Sequence, residues 1–372
     1  MENMVDSFQK TYNGLRVLVT GDTGFKGSWL CEVLLGVGAN CFGVGLEPNT
    51  QPSLFEQLEL QKRVNHKMLD ITKYSDLKEF IIQVQPDIIF HLAAQPLVRL
   101  SYDIPIETYQ TNVMGTVHIL DALRFLNKKC AVVCVTTDKC YENKEWLHSY
   151  RENDPMGGHD PYSSSKGACE IAIQSYRRSY FSEPEKSGIA ICSVRAGNVI
   201  GGGDWASDRI IPDCISALKA GKPIPVRNRV ATRPWQHVLE PLSGYLLLAN
   251  ELWCGLTSQK AALGKFHYSK LCDAFNFGPN IDSNRTVYDL VKEVLKNWEG
   301  GWEDHSDPSA PHEASLLNLS IDKAYHMLSW SPQWDFSRTV KETVSWYKAA
   351  QSDNFDAKSF TQLQINDYLA LH

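Results

Sequence analysis

Thr137, Asp138 and Lys139 put a hydroxyl, a carboxyl and an amine in succession at the end of an apolar run, AVVCVTT (131–137), with Tyr141 two places on. A surface turn uses Asp and Lys as readily. A strand end that offers an acid, a base and a hydroxyl to one substrate is the functional reading. A second pair stands in PYSSSKGACE, where Tyr162 and Lys166 are four residues apart and share one helix face. An ammonium beside a phenol stabilises the phenolate and lowers a pKa otherwise about 10. Alone, Y-x-x-x-K is a common chance pattern; a Thr at the preceding strand end, able to bond the same substrate oxygen, gives it weight.

Upstream, VLVTGDTGFKGSWL sets Gly21, Gly24 and Gly27 between a strand and a helix. The first glycine permits a tight turn, the second lets backbone approach a pyrophosphate, and the third lets helix pack on strand. The helix N-terminus adds free N–H groups. The spacing is one residue wider than G-x-G-x-x-G, and the turn as a whole (Gly21, Thr23, Gly24, Phe25, Lys26, Gly27) is the candidate cradle of a dinucleotide. Lys166 would then also reach the nicotinamide ribose. Glu47, after the second strand, is a weak match for the ribose-binding acid, and no arginine closely follows that strand end, so NAD is favoured over NADP. Asp70, with Ile71 after it, ends the third strand and could meet the adenine amino group, or simply be a helix-capping or solvated Asp.

The elements that must position these groups are legible as alternation. RVLVT (16–20), NCFGVGL (40–46), HKMLDI (66–71), DIIFHLAA (87–94), AVVCVTT and IAICSVRAGNVI (189–200) read as strands. Helical stretches separate them, with Thr72 as an expected N-cap and long helices at about 105–127 and 161–181. Strands apolar throughout and separated by helices predict an α/β, doubly wound, mainly parallel sheet. Beyond residue 200 more Gly, Pro and charge point to a smaller mixed α/β substrate lobe on the C-terminal side, and DAFNFGP (273–279) to a strand returning to the main sheet. The expected division is 1–196 as Rossmann domain with a return segment at about 236–280, and 197–235 with 281–372 as an interleaved lobe.

Bulk properties exclude other classes. The chain has 372 residues, 43% of them apolar and 22% charged, with a net charge of −6. No basic footprint for nucleic acid stands out, and no apolar run reaches the roughly 18 residues of a membrane span. The polar start argues against a signal peptide. Ten cysteines fall largely in strand-like runs with no metal-binding spacing, so they read as core filling in a reducing cytoplasm, and no metal is expected.

GDTGFKG, FHLAAQ (90–95), NVMGT (112–116), TTDK and Y-S-S-S-K together resemble the extended short-chain dehydrogenase/reductases. Within them VTTDKCYENKEW, SVRAGNVIGGGDWASDRIIPD and RPWQHVLEPLSGYL resemble the nucleotide-sugar 4,6-dehydratases, in the branch acting on CDP-D-glucose. Relatives acting on dTDP-glucose carry Glu where this chain has Lys139. The resemblance implies bound NAD, CDP-D-glucose as substrate, and an early step of deoxysugar synthesis for surface polysaccharide. Tyr162 would take the C4 hydroxyl proton during hydride transfer, Asp138 would serve the C6 oxygen, and Lys139 would act as base at C5 or stabilise the enolate. It also implies cofactor contacts from Leu92, Ala93, Ala94 and Asn112, though Asn112 could equally pack against a neighbouring helix. Gln95, Asn198, Arg209 and Arg233 would face substrate, with Arg195 a further phosphate candidate. Gly201 to Gly203 would let their loop run close to substrate. His91 reads as a core histidine, and His237 could approach the nucleotide. The helices at 105–127 and 161–181 would pair between subunits of a homodimer or homotetramer. A nucleotide-sugar 4-epimerase shares turn and Y-x-x-x-K but does not need the Asp138-Lys139 pair; a cofactor-bound regulatory protein would not need Tyr162 or Lys166.

Overall fold

A computed structural model describes residues 4–207, 209–259, 263, 265–306 and 316–371. Seven parallel strands form its centre: β1 (Arg16–Thr20), β2 (Asn40–Gly45), β3 (Asn65–Met68), β4 (Ile88–His91), β5 (Cys130–Val135), β6 (Ile189–Ala196) and β7 (Ala274–Phe277), ordered β7-β6-β5-β4-β1-β2-β3. Order reverses beside β1, the switch point where doubly wound sheets bind ligands at their C-terminal edge.

Period-two alternation explains why the strands are apolar throughout. Val17 and Val19 enter one core and Leu18 the other; Ala131, Val133 and Val135 likewise part from Cys130, Val132 and Cys134. Each wholly buried Val, Leu or Ile contributes about 1.5–3 kcal/mol, so both faces must be covered. Helix α1 (Phe25–Gly36) and the buried Leu239–Thr257 helix cover the first. Leu77, Phe80, Ile119, Leu120 and Ile173 cover the second. The fold is the expected doubly wound, Rossmann-like one, and β7 is the expected returning strand.

Several boundaries differ. The third strand stops at Met68, leaving Asp70 and Ile71 in the following turn. Lys73, not Thr72, is the helix N-cap, because Asp70 Oδ1 already accepts the Thr72 N–H at 2.8 Å. The stretch expected as one helix over 105–127 is Pro105–Tyr109, a π turn at Gln110–Met114 and Gly115–Ala122, then a short 3-10 turn. The run at 189–200 breaks after Ala196, and Val199–Ile200 pairs separately with Gln236–His237.

Short strand pairs and helices make up the rest of the C-terminal region: Ile224–Val226 lies parallel to Trp302–Asp304, and Thr232–Pro234 antiparallel to Asn284–Thr286. Residues 297–312, a stretch rich in Trp, Pro and His, lie partly outside the described residues. Among the described residues no helix is long and apolar enough to cross a membrane, and no group of His, Cys, Asp or Glu could hold a metal ion.

Candidate active site

Strand β5 delivers Thr137, Asp138 and Lys139 at the C-terminal edge of the sheet as a single 3-10 turn, with Thr137 as its N-cap. Asp138 is only 1% exposed. Its Oδ1 accepts from Thr137 Oγ1 at 3.0 Å and lies 3.8 Å from Lys139 Nζ, while its Oδ2 is buried without a partner. An orphaned buried carboxylate oxygen costs free energy, and it marks a place for a polar group of a ligand. Gly197 keeps that place open, since a Cβ there would come 3.1 Å from Oδ2. Lys139 keeps 19% of its side chain exposed, so its amine can reach a substrate.

Helix α2 (Pro161–Ser179) brings Tyr162 and Lys166 to the same place. Asp160 caps it through the Ser163 N–H at 2.9 Å, Pro161 opens it, and Ser101 Oγ accepts the Tyr162 N–H at 3.1 Å. Tyr162 comes close enough to Thr137 for their hydroxyls to interact. The expectation that Lys166 lowers the phenol pKa is not what the chain alone produces. Burial dominates and pushes Tyr162 above its usual value, relieved by Thr137 and Arg209 and reinforced by Asp138. Lys166 Nζ instead donates to the Val135 carbonyl at 3.4 Å, and burial lowers its pKa.

Behind these groups lies a buried ionic network. Glu170, one turn beyond Lys166, accepts from Thr136 Oγ1 at 2.5 Å, Ser193 Oγ at 2.8 Å and Arg195 Nη2 at 2.8 Å. Arg195 Nη1 donates to Tyr141 Oη at 2.6 Å and the Glu152 carbonyl at 2.9 Å. Arg195 is therefore no phosphate ligand: it ties β5, β6 and α2 together. Tyr141 passes the network on to Asn276 Oδ1 at 2.8 Å.

The glycine turn matches a dinucleotide in its stereochemistry. Gly21 has φ +75°, and a Cβ there would strike the Ala93 backbone at 2.7 Å. A Cβ on Gly27 would lie 2.1 Å from the Gly21 carbonyl, whereas at Gly24 the nearest contact would be 3.4 Å, leaving that face open for phosphate. Thr23, Gly24, Phe25 and Lys26 are partly exposed there. Lys26, with its amine 5.9 Å from the Tyr245 ring centroid, has its pKa pushed down to about 8, first by burial and then by Arg209 and Lys166, against Asp138. Leu92, Ala93 and Ala94 line the neighbouring strand end, where Leu92 and Ala93 donate to Thr20 at 3.1 and 3.2 Å.

Two expected ligand contacts turn out to be supports. Asn112, wholly buried in the π turn, accepts the Gln95 N–H at 2.8 Å and donates to the Gln95 carbonyl at 3.2 Å and Ser165 Oγ at 2.9 Å. It clamps the loop after β4 to α2 rather than facing cofactor. Gln95 spends its amide on Leu97 and Thr108, at 2.6 to 3.1 Å, so it braces its own loop instead of greeting substrate. Asp70 makes the local turn described above, Ile71 is buried against Gly115, and Glu47 is exposed.

On the substrate side Asn198 is half-buried in the loop after β6. Arg209 pairs with Asp204 at 2.9 Å and is close enough to Tyr162 and Lys26 to act on both electrostatically. Arg233 is buried on the short strand beside Asn284–Thr286 and donates to the Thr232 carbonyl at 2.9 Å; the adjoining Pro234 borders Gly197. Gly201 to Gly203 do not serve substrate. Gly202 lies against Trp346 and Gly203 against Leu54, and Trp29 Nε1 donates to the Gly202 carbonyl at 3.0 Å, so these glycines let the loop enter the core. His237 is wholly buried between Trp29 and Trp334, and burial holds its pKa near 3, so it does not approach a nucleotide. His91, between Thr20 at 2.7 Å and Thr116 at 3.0 Å, is the expected core histidine.

Glu170, Thr136, Ser165, Asp22 and Tyr245 escaped the sequence reading. Only Glu170 had a usable signal, one helical turn after Lys166; the others depend on tertiary partners.

Residues 18–343 match the model of the GDP-mannose 4,6 dehydratase family. The chain is 43% identical over 367 residues to the CDP-glucose 4,6-dehydratase of Salmonella typhimurium, covering 96% of this chain and 97% of the relative. It is 24% identical over 353 residues to the dTDP-glucose 4,6-dehydratase of Haemophilus influenzae, covering 90% and 98%. Among solved structures it is similar to dTDP-glucose 4,6-dehydratase from Bacillus anthracis in complex with NAD, with TM-score 0.69, 22% identity, and 89% and 96% of the two chains covered. It is likewise similar to UDP-glucose 4-epimerase from Thermotoga maritima, with TM-score 0.72, 19% identity, and 90% and 99% covered. At such identities the structural likenesses speak for the fold and not for one reaction over the other.

Proposed function

Since the chain belongs to the GDP-mannose 4,6 dehydratase family, we propose that it dehydrates CDP-D-glucose to CDP-4-dehydro-6-deoxy-D-glucose with NAD as a resident cofactor. The observation that carries this reading is Asp138, buried at a strand end with one carboxylate oxygen orphaned, between Lys139 and the Tyr162 site. The 43% identity to the Salmonella typhimurium CDP-glucose 4,6-dehydratase favours CDP-D-glucose over other nucleotide sugars.

Gly21, Thr23, Gly24, Phe25, Lys26 and Gly27, with Leu92 to Ala94 and Lys166, would hold NAD. When bound, NAD supplies the acceptor for the C4 hydride and its later donor to C6, so it ends each turnover oxidised. Tyr162 would take the C4 hydroxyl proton as the phenolate, the form that the Lys166 ammonium and the positive charge of oxidised NAD would favour once the cofactor is in place, with Thr137 beside it to align the same substrate oxygen. The resulting ketone acidifies C5. Asp138 in its acid form gives the proton on Oδ2 to the C6 hydroxyl as water leaves, while Lys139 either takes the C5 proton as the neutral amine or steadies the enolate as the ammonium, and a proton returns to C5 when C6 receives hydride. Asn198, Arg209 and Arg233 bind the sugar and diphosphate.

An epimerase has no use for a proton donor beside C6, and the orphaned Asp138 oxygen weighs against that reading. The deciding assay incubates the protein with NAD and CDP-, dTDP- or UDP-glucose and measures the 4-keto-6-deoxy sugar by its absorbance in alkali. Product from CDP-glucose is expected. Product from dTDP- or UDP-glucose alone would overturn the nucleotide, and interconverted C4 epimers without keto sugar would overturn the reaction.

The reading extends to assembly, organisation and setting. Ile106, Tyr109, Met114 and Ile171 are exposed at 68, 40, 45 and 61% along the helices at 105–122 and in α2, which supports subunit pairing as a homodimer or homotetramer. A Rossmann domain over 1–196, with 236–280 returning to it and the remainder as substrate lobe, accords with β7 and the Leu239–Thr257 helix packing on the main sheet. The ten free cysteines suit a cytoplasmic enzyme. The keto-deoxy product suits an early step of deoxysugar synthesis for surface polysaccharide.

A further inference from the structure

Asp22, the second residue of the glycine turn, has no part in the chemistry above, yet the surrounding structure is shaped to hold it. It is wholly buried. Oδ2 lies 2.7 Å from His66 Nδ1 on β3, and Oδ1 is buried with no partner. Two glycines of β2 make the room: a Cβ on Gly43 would fall 1.9 Å from Oδ2, and one on Gly45 would fall 2.9 Å from Oδ1 and from Thr23 Oγ1. Ser28 Oγ donates to the Asp22 carbonyl at 3.1 Å, joining it to the first turn of α1.

A carboxylate buried beneath a turn that receives a pyrophosphate is a like charge in a poorly screened place. His66 is the group that can offset it. Its side chain is 14% exposed, so it exchanges protons with solvent, and the Asp22 hydrogen bond raises its pKa against the opposing effect of burial. Glu47, after β2, favours the charged ring as well. The Phe55 ring lies 5.3 Å from that of His66, Cys31 on α1 is near enough to Asp22 to feel its charge, and Glu32 is held by Arg63 at 2.6 and 3.0 Å.

We propose that Asp22 and His66 form a proton-dependent support for the cofactor turn, neutral as a pair and receptive to the pyrophosphate while His66 is protonated, and opposed to it once His66 is neutral. The proposal rests on reading the turn as the NAD site. Both are positioning residues, since the buried carboxylate acts through the turn.

Calorimetric titration with NAD from about pH 6 to about pH 8.5 tests it. The wild-type dissociation constant should rise about threefold to tenfold across that range, as expected for losing one nearby favourable charge. Lys26 also deprotonates as pH rises, but its contribution persists in every variant, so differences from wild type isolate the pair. His66→Gln should bind weakly at all pH values and lose the wild-type excess slope. Adding Asp22→Asn to it should restore tight binding, the reverse of what loss of a merely structural contact would do. A double variant weaker than His66→Gln, or an unchanged slope in His66→Gln, would overturn the proposal. An NMR titration of wild-type His66 needs no variant: its midpoint should move upward on adding NAD, and an unmoved midpoint would also overturn it. Absence of NAD binding at every pH would remove the cofactor reading itself, whereas tight binding with no pH dependence would remove the proposal alone.

Discussion

Replacing Glu170 by Gln tests whether the buried network holds the catalytic elements in register. Glu170 and Arg195 are each 4% exposed, and the carboxylate also satisfies Thr136 and Ser193. Removing one partner of a buried ion pair costs about 3–5 kcal/mol, because the remaining charge stays buried and uncompensated. Unfolding entropy near 2.1 cal/mol/K per residue gives about 0.8 kcal/mol/K for 372 residues. Glu170→Gln should therefore lower Tm by about 4–6 °C in differential scanning calorimetry. Catalysis should suffer too, since Thr136 adjoins Thr137 and Glu170 lies one turn from Lys166. Glu170→Leu combined with Arg195→Met removes both charges, and more than half of the lost Tm should return. A single variant within a degree of wild type, or a double variant below the single, would refute the argument that paired charge is what holds the network.

Lys139→Met should leave a reduced-nicotinamide absorbance signal when substrate is added, while keto-sugar formation falls by about 10²-fold or more; unchanged turnover would deny Lys139 either role. Glu240, buried and accepting from Gln333, Trp334 and Tyr368, has its carboxyl pKa raised from 4.5 to about 7, chiefly by burial. Its folded pKa exceeds its unfolded one, so its contribution to stability should increase as pH falls from about 7 towards 4.5. Urea unfolding at several pH values should show that part of the slope vanish in Glu240→Gln. Gly202→Ala would set a Cβ 2.0 Å from Trp346 Cγ, and a loss of about 1–3 kcal/mol is expected in urea unfolding, as overpacking of a filled core gives; wild-type stability would contradict the packing described.

Period-two burial made the sheet legible, because strands covered on both faces must be apolar at every position. The glycine turn was legible for a similar reason: a positive φ at Gly21 and a backbone contact at Gly27 leave no alternative residue. Thr137, Asp138, Tyr162 and Lys166 could be found because strand end and helix start fix them locally. Direction beyond the first contact was not legible. Arg195, Asn112 and Gln95 have side chains suited to phosphates, cofactor or sugar, yet each is used by a partner distant in the chain, Glu170, Ser165 and Thr108 respectively. Gly201 to Gly203 misled likewise, because a flexible run looks the same whether a ligand or Trp346 fills the space. The π turn around Asn112 has no spacing of its own, so one long helix was the natural expectation.

The loop after β6 is gripped from two sides, by the indole of Trp29 from the helix of the glycine turn and by Trp346 near the C-terminus. Those rings flank the segment that leads on from Asn198, so they provide a built-in optical probe. Quenching or a red shift of their emission, read against single Trp→Phe replacements, would report when that segment loosens, without a dye or a label.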